Sequence, residues 1–279
     1  MLAVFDIGNA FVGAGVFQDD RLRAAFRLAT DVRRPAEEYA FLVSGLLAQE
    51  GIQREDVDGV AIASVVPPLT ERFEELSQKL FGRKPLVVGA GTRTGVHVAT
   101  HNPREVGGDR ILNAAAAFHL YGGPLIVLDF GTATAFDVVA TDGAYLGTAM
   151  APGLALSAEA LFQAASRLHR VDLTPPRSVV GKDSASALQS GIILGHTAMV
   201  EGMVARIRAE TGVASKVIAT GELAPLVAAE TTVIDHIEPH LSLVGLRLMH
   251  ERNTSSPTGA SSSPTAVGEA RPALSEVEG

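Results

Sequence analysis

The sequence predicts an α/β fold of two duplicated lobes with a cleft between them, and two observations support this prediction. Residues 2–17 and 125–139 share one plan: an apolar strand ends at a carboxylate, turns through glycine and continues as a second apolar strand. The Asp-x-Gly of residues 6–8 aligns with that of residues 129–131. Apolar strands also alternate with helical patterns, which is typical of a mostly parallel sheet with ligands beyond the carboxyl ends of its strands.

The first half of the chain predicts strands and helices in alternation. After the first hairpin, residues 22–28 form a third strand, and Pro35 begins a helix whose apolar residues recur at helical spacing. A strand over residues 57–65 ends at two prolines, which begin a helix from about residue 69 to residue 80. A short strand over residues 85–88 completes this half of the predicted sheet.

A polar loop with two glycines precedes the next predicted helix, residues 111–120. Asp109 and Arg110 fall in its first turn, where free backbone N–H groups and the helix dipole favour an anion. In the simpler interpretation, Asp109 caps the helix and Arg110 lies in solvent. In the alternative, Asp109 is a general base and Arg110 holds an anion, and the position of the loop before the second hairpin favours this alternative.

The second half continues with helices over residues 154–168 and 185–211, the latter capped by Asp183 or Ser184. A strand over residues 216–220 then runs into a glycine turn placed to border a nucleotide base.

The C-terminal part of the chain contains a last helix and a segment of different composition. The helix is expected from residue 240 to near residue 251. From residue 253 onward Ser, Pro, Thr, Gly and Ala dominate, which predicts a disordered tail over residues 253–279.

Composition and charge exclude several classes of function. The 279 residues include no cysteine, which excludes disulfides, thiolate metal sites and cysteine nucleophiles. A formal net charge of −8 disfavours nucleic-acid binding as the main role, because such binding draws on clustered lysine and arginine. No signal sequence or bilayer-spanning apolar run is visible. We expect a cytoplasmic protein that binds neither nucleic acid nor membrane.

The paired hairpins suit phosphate and cation binding. A glycine lets the backbone approach a ligand and present N–H groups, and a carboxylate at a strand end holds a metal ion or orients a water. Aspartate and glycine are also ordinary turn residues, so either copy alone has an equally simple structural explanation. The occurrence of two copies favours the functional one.

Seven short motifs follow in order along residues 1 to about 252. Two of them are Asn-Pro-x-Glu-Val-Gly-x-Asp-Arg at residues 102–110 and Leu-Asp-Phe-Gly-Thr-Ala-Thr at residues 128–134. Together with shorter motifs they resemble type III pantothenate kinase, a member of the acetate and sugar kinase, Hsp70 and actin superfamily. The shorter motifs are at residues 6–9, 151–153, 157–162, 189–192 and 245–247.

The resemblance implies a fold, a reaction and partners. The fold is a pair of duplicated ribonuclease H-like (actin-like ATPase) lobes with a nucleotide cleft between them, expected at residues 1–115 and 116–252. The reaction is ATP-dependent phosphorylation of pantothenate to 4′-phosphopantothenate, the first step of coenzyme A biosynthesis. The cofactors are ATP with Mg2+ and a monovalent cation, K+ or NH4+. The family is homodimeric.

The resemblance also implies roles for individual residues. Asp109 would accept the proton of the primary hydroxyl of pantothenate, and Asp129 would hold the monovalent cation. Pantothenate would be bound by Gly107, Gly108, Asp109, Arg110 and Ser184, with Arg110 facing its carboxylate. ATP would be bound by Thr132 and by the first hairpin, namely Asp6, Ile7, Gly8, Asn9, Ala10, Phe11, Val12 and Gly13, with Asp6 near the metal-phosphate complex.

Four residues depart from the family pattern near the expected ligands, and one of them, Ser184 in place of a usual Thr, keeps the hydroxyl. Ala10 stands where a Thr is usual, Thr100 where a Tyr is frequent, and Glu222 where a second Gly is usual. Ala10 and Glu222 motivate an alternative function, that of a catalytically weak or inactive regulatory relative that binds ligand without turnover. A third hypothesis keeps the fold and changes the acceptor to a sugar or an acetate-like acid.

Overall fold

The computed structural model describes residues 1–89, 91–164 and 169–254. Within these residues the chain forms two five-stranded sheets. The first has the order β3-β2-β1-β4-β5 and consists of β1 (Leu2–Ile7), β2 (Phe11–Gln18), β3 (Arg21–Ala29), β4 (Gly59–Ser64) and β5 (Leu86–Val87). The second has the order β10-β9-β6-β7-β8 and consists of β6 (Leu125–Phe130), β7 (Ala133–Val139), β8 (Tyr145–Pro152), β9 (Lys216–Thr220) and β10 (His236–Ile237).

The two sheets have the same topology, which confirms the predicted duplication. In each sheet the first three strands form an antiparallel meander, and the last two strands add in parallel on the other side of the first strand. Asp6 and Asp129 therefore occupy equivalent places near the carboxyl ends of the central strands β1 and β6.

The helices form layers on and between the sheets. The outer face of the first sheet packs on two of them, the outer face of the second sheet packs on others, and two helices share a middle layer. The helices are α1 (Ala36–Gln49), α2 (Pro67–Phe81), α3 (Gly108–Tyr121), α4 (Leu154–Ala164), α5 (Ser184–Thr211), α6 (Ala224–Ala228) and α7 (Leu241–Thr254). Among the residues that the structure describes, none of these helices combines the length and apolar character needed to cross a bilayer.

The middle layer consists of α3 and α7, and each of them packs on the sheet of the other half. Helix α7 lies against β1, β2 and β4, whereas α3 lies against β6 and β7 as well as β4. The two helices meet at Gly245, where a Cβ atom would lie 2.4 Å from the carbonyl oxygen of Leu112. This spacing brings the two backbones into contact and carries the N-terminal turn of each helix toward the cleft.

Two boundaries differ clearly from the predictions, and one predicted cap is confirmed. Helix α3 begins at Gly108, three residues before the predicted start. Asp183, one of the two predicted caps, is the N-cap of α5. The predicted tail is wrong for Asn253 and Thr254, because α7 continues through them and the Asn253 amide bonds the backbone of Arg93. The rest of the predicted tail and the predicted helical residues 165–168 lie outside the described residues. The bounds of the two lobes stay a prediction.

Candidate active site

Three carboxylates share one electrostatic environment between the sheets. Asp6 lies near the end of β1, Asp129 near the end of β6, and Asp109 in the first turn of α3. The negative charge of Asp109 raises the pKa of both strand-end carboxyl groups, and Asp6 also raises the pKa of Asp129. The fold therefore brings together the residues predicted for the phosphates, the monovalent cation and the base.

Burial is the main cause of the shift at Asp6. It raises the pKa of this carboxyl group from 3.8 to about 6, and the charge of Asp109 adds to the effect. A hydrogen bond from Ser242, the second residue of α7, opposes both. A carboxyl group with this pKa gains most from a nearby cation, because the cation offsets the lost hydration.

Asp129 lies in a still less favourable place for a negative charge. Burial, followed by the charges of Asp109, Asp6 and Asp137, raises its pKa to about 7. The side chain of Asn113 opposes this by donating from Nδ2 to Asp129 Oδ2 over 3.1 Å. Asn113 comes from α3, one helical turn after Asp109.

The tip of the first hairpin is fixed from the side of β3. Gly8 N donates to the carbonyl oxygen of Phe11 over 3.0 Å, which closes the turn. The Thr30 hydroxyl donates to the carbonyl oxygen of Gly8 over 2.7 Å, and Thr30 N donates to that of Ala10 over 3.0 Å. Asn9, Ala10 and Phe11 are exposed at the tip. The turn is therefore rigid at its base and accessible to a ligand.

The second hairpin is held by two glycine turns that leave no room for a side chain. A Cβ atom on Gly153 would lie 2.3 Å from the carbonyl oxygen of Gly131, and Gly153 N donates to the carbonyl oxygen of Thr132 over 3.0 Å. Gly221, after β9, has a φ of +95°, and a Cβ there would lie 2.7 Å from the carbonyl oxygen of Phe130. Thr132 is thus presented to solvent on a tightly packed support.

At the start of α3 the side chain of Asp109 occupies the space next to Gly107. Gly107 is the N-cap residue, and a Cβ on it would lie 2.4 Å from Asp109 Oδ1. Asp109 is therefore not the helix cap of the simpler interpretation, because its carboxylate folds back over the start of the helix. The neighbouring Arg110 extends to β8, where its guanidinium contacts the sulfur of Met150.

Ser184 lies at the start of α5 with an exposed side chain. Asp183 fixes this helix end, since its Oδ1 accepts a hydrogen bond from Ser186 N over 2.8 Å. The approach of Ser184 to the substrate loop stays a prediction.

An ion pair joins β3 of the first sheet to the residue that follows the glycine turn after β9. Arg27 of β3 donates to Glu222 over 2.7 Å, and its guanidinium lies 4.1 Å from the ring centroid of Phe11. Glu222 follows the φ-positive Gly221, so the residue that departs from the family pattern makes this contact. Both side chains of the pair are about half exposed.

The comparisons with known proteins assign the chain to a family. The profile of type III pantothenate kinase matches residues 2–206. A type III pantothenate kinase from Roseiflexus sp. (strain RS-1) is 50% identical over 255 residues, which are 91% of this chain and 100% of that protein. The chain belongs to the type III pantothenate kinase family. Pantothenate kinases of this type are phosphotransferases, and so is this chain.

Solved structures support the fold of this pantothenate kinase at low sequence identity. A Campylobacter jejuni protein assigned to the Baf family of transcriptional activators has a TM-score of 0.57 at 18% identity, covering 90% of this chain and 98% of its own. A Sinorhizobium meliloti protein assigned as a 2-dehydro-3-deoxygalactonokinase has a TM-score of 0.54 at 14% identity, with coverages of 94% and 99%. These likenesses establish the two-lobed α/β fold that the sequence predicts.

Sequence reasoning missed several buried polar residues of the second sheet and the helices that pack on it. Asn113 was hidden in an alanine-rich helix, and Asp137 in an apolar strand, yet Asp137 and Tyr145 are both fully buried and joined by a hydrogen bond of 2.6 Å. A carboxylate between buried strand residues is the signal that marks such a group, because an isolated charge there is too costly to be tolerated. Thr134 and His196 form another buried pair, at 3.0 Å, with His196 contributed by α5.

Proposed function

We infer that this chain phosphorylates pantothenate with ATP to give 4′-phosphopantothenate, the first step of coenzyme A biosynthesis, with Asp109 as the general base. One observation carries the assignment of the base. Two equivalent strand ends bring Asp6 and Asp129 within reach of the charge of Asp109, on the helix that follows the predicted substrate loop. Membership of the family indicates which reaction is catalysed. The proximity of the three carboxylates supports this part of the structure as the place where the reaction occurs.

The nucleotide side of the site is proposed at the two hairpins. The exposed tip of the first hairpin, residues 6–13, would receive the ATP phosphates, with Asp6 beside the Mg2+ that accompanies ATP. Thr132 would contact ATP from the tip of the second hairpin. Ala10 supplies no hydroxyl, so backbone N–H groups are the donors that this tip offers at that position.

The acceptor side is proposed at the start of α3. Gly107 and Gly108 would let pantothenate approach the backbone, and Arg110 would face its carboxylate. Ser184 would contact the substrate from α5. An arginine suits this role because its planar guanidinium matches a carboxylate with two parallel hydrogen bonds.

A monovalent cation, K+ or NH4+, is proposed at Asp129. The chemistry fits, because this buried carboxyl group is surrounded by the charges of Asp109, Asp6 and Asp137. Asn113 Oδ1 is buried without a hydrogen-bond partner among the described residues, and it adds a neutral oxygen beside Asp129. A bound cation would supply the positive charge that offsets this repulsion.

The proposed reaction proceeds by positioning and proton transfer, without a covalent intermediate. Asp109 accepts the proton of the primary hydroxyl of pantothenate as the hydroxyl oxygen attacks the γ-phosphorus of ATP. The bond between that phosphorus and the bridging oxygen breaks, and ADP leaves with the negative charge. The rigid hairpin supports hold the reacting groups in line.

Homodimerisation is proposed from the family resemblance. The alanine-rich run at residues 114–117 of α3 does not supply the contact, because it is buried between the two sheets of one chain.

Asp109→Asn tests the proposed base. In a coupled assay of ADP release with pantothenate, ATP and K+, the variant is expected to lose about 10²- to 10⁴-fold in kcat, because the amide cannot accept the proton. Its KM for ATP should stay close to wild type, and its unfolding temperature should not fall, because the substitution removes a negative charge that acts on the buried Asp6 and Asp129. Asp20→Asn, in the exposed turn between β2 and β3, is the control for the change in charge. A variant that turns over like the wild type would remove Asp109 from the mechanism.

A wild-type chain that binds pantothenate in calorimetry but yields no product would instead favour the regulatory alternative. Faster turnover with a sugar or an acetate-like acid than with pantothenate would favour the third hypothesis.

A further inference from the structure

The side chain of Arg110 lies beside a buried pair formed by Asp137 and Tyr145. Tyr145 donates to Asp137 Oδ1 over 2.6 Å, and both residues are fully buried on the face of the second sheet that packs on α3. Asp137 Oδ2 has no hydrogen-bond partner within the described part of the chain. A buried carboxylate with one free oxygen is costly, so the position calls for a positive charge nearby.

Arg110 supplies that positive charge. Burial is the largest influence on Asp137 and raises its pKa, and the charge of Asp109 adds to it. The Tyr145 hydrogen bond, the charge of Arg110 and the Thr148 hydroxyl oppose this shift. Burial and Asp137 likewise raise the pKa of Tyr145, and Arg110 opposes them by a hydrogen bond and by its charge. The guanidinium is therefore linked to both members of the buried pair.

The other charged groups that act on Asp6 and Asp129 are negative, unlike Arg110. Asp129 is influenced by Asp109, Asp6 and Asp137, which are all carboxylates, and Asp6 by Asp109. Arg110 follows Asp109 directly in the chain, and the contact with Met150 on β8 shows which way its side chain turns. The Arg110 guanidinium is thus directed toward β8, on the side of the buried pair.

We propose that Asp137 and Tyr145 are positioning residues that hold Arg110 on the β8 side of the cleft, where it receives the carboxylate of the acceptor substrate. Without them the Arg110 guanidinium is free to leave this position, which weakens binding of the substrate carboxylate. The proposal rests on the proposed role of Arg110.

Tyr145→Phe is the first test, because it removes one hydroxyl and keeps the ring in the core. We expect KM for pantothenate to rise about tenfold, because this is the size of effect that follows from losing a hydrogen bond to a charged group. The kcat should change less than about twofold. Tyr121→Phe is the matched control, since Tyr121 is bonded to Glu238 in the same half of the chain but outside the cleft. It should leave both constants at wild-type values.

A double-mutant cycle with Arg110→Ala separates positioning from a structural role. In the Arg110→Ala background, Tyr145→Phe should change kcat/KM for pantothenate less than about twofold, because there is no guanidinium left to hold. Panthenol, in which a neutral alcohol replaces the carboxylate, gives a second readout. Its inhibition constant against pantothenate should be the same in Tyr145→Phe and wild type.

Two results would overturn the proposal. Equal losses from Tyr145→Phe with and without Arg110 would mean a structural role, and so would equal weakening of pantothenate and panthenol. Asp137→Asn keeps the shape and the Tyr145 acceptor but removes the charge, and it should show the same dependence on Arg110. A wild-type chain without pantothenate turnover would refute the proposed function instead, and the calorimetric affinities of the same variants for pantothenate would still test the positioning.

Discussion

Asp129→Asn is predicted to stabilise the ligand-free protein while it weakens cation binding. The pKa of Asp129 rises from 3.8 to about 7 on folding, chiefly through burial and then through the charges of Asp109 and Asp6. At about 1.4 kcal/mol per pKa unit, ionising this group costs the folded state about 4 kcal/mol. The variant removes that cost and keeps an oxygen acceptor for Asn113.

The pH dependence follows from the sign of the shift. Because the folded-state pKa is raised, the cost is absent below pH 3.8, grows through the window up to about pH 7 and is complete above it. The gain in the free energy of unfolding should therefore be about 4 kcal/mol at pH 8.5 and about 2 kcal/mol at pH 5.5. Urea unfolding at the two pH values, without K+, ATP or pantothenate, measures this difference.

Controls and ligand effects complete this test. Asp20→Asn makes the same charge change in an exposed turn and should not reproduce the gain. Added K+ should stabilise the wild type at pH 8.5 and have little effect on Asp129→Asn, since the proposed cation ligand is lost. A gain that is the same at both pH values, or no gain at pH 8.5, would refute the electrostatic reasoning.

Two further variants test the supports of the cleft. Gly153→Ala should raise KM for ATP about tenfold or more, because its Cβ would lie 2.3 Å from the Gly131 carbonyl oxygen and displace the second hairpin. Gly45→Ala, where a Cβ meets open space, is the control, and an unchanged KM for ATP in Gly153→Ala would contradict the packing argument. Glu222→Ala breaks the exposed pair with Arg27 and should change the free energy of unfolding by less than about 1 kcal/mol. It should also lower KM for ATP several-fold at low ionic strength but not at high salt, and a salt-independent effect would exclude charge as the cause.

Local pattern was sufficient to predict the hairpins and their equivalence. Apolar strands flanking an Asp-x-Gly turn define a hairpin by themselves, and the structure places both in sheets of one topology. The start of α3 was predicted three residues late because Gly107 and Gly108 have low helix propensity. The presence of Gly107 is explained by the Asp109 side chain, which occupies the space of a Gly107 Cβ and is visible only in three dimensions, whereas a Cβ on Gly108 would meet open space.

The supporting residues of the site could not be predicted from local pattern. Asp137 is one polar residue in an apolar strand, and its importance depends on Tyr145 from the next strand and Arg110 from a distant helix. The role of Asn113 likewise becomes visible only through its hydrogen bond to Asp129, which the sequence does not reveal. The continuation of α7 through Asn253 depends on a contact with Arg93, some 160 residues earlier in the chain, which composition does not reveal.

The exchange of α3 and α7 between the two halves bears on how such a protein arose. Ser242 of the second half bonds the carboxylate of β1, and Asn113 of the first half bonds that of β6, so each half completes the acid site of the other. Two separate copies of one ancestral half would make the same reciprocal contacts about a twofold axis. Fusion of the copies would then have preserved a subunit interface as the interior of a single chain. Once joined, the two acids no longer had to remain identical in their surroundings, which is consistent with the different roles proposed for Asp6 at the nucleotide and Asp129 at the cation.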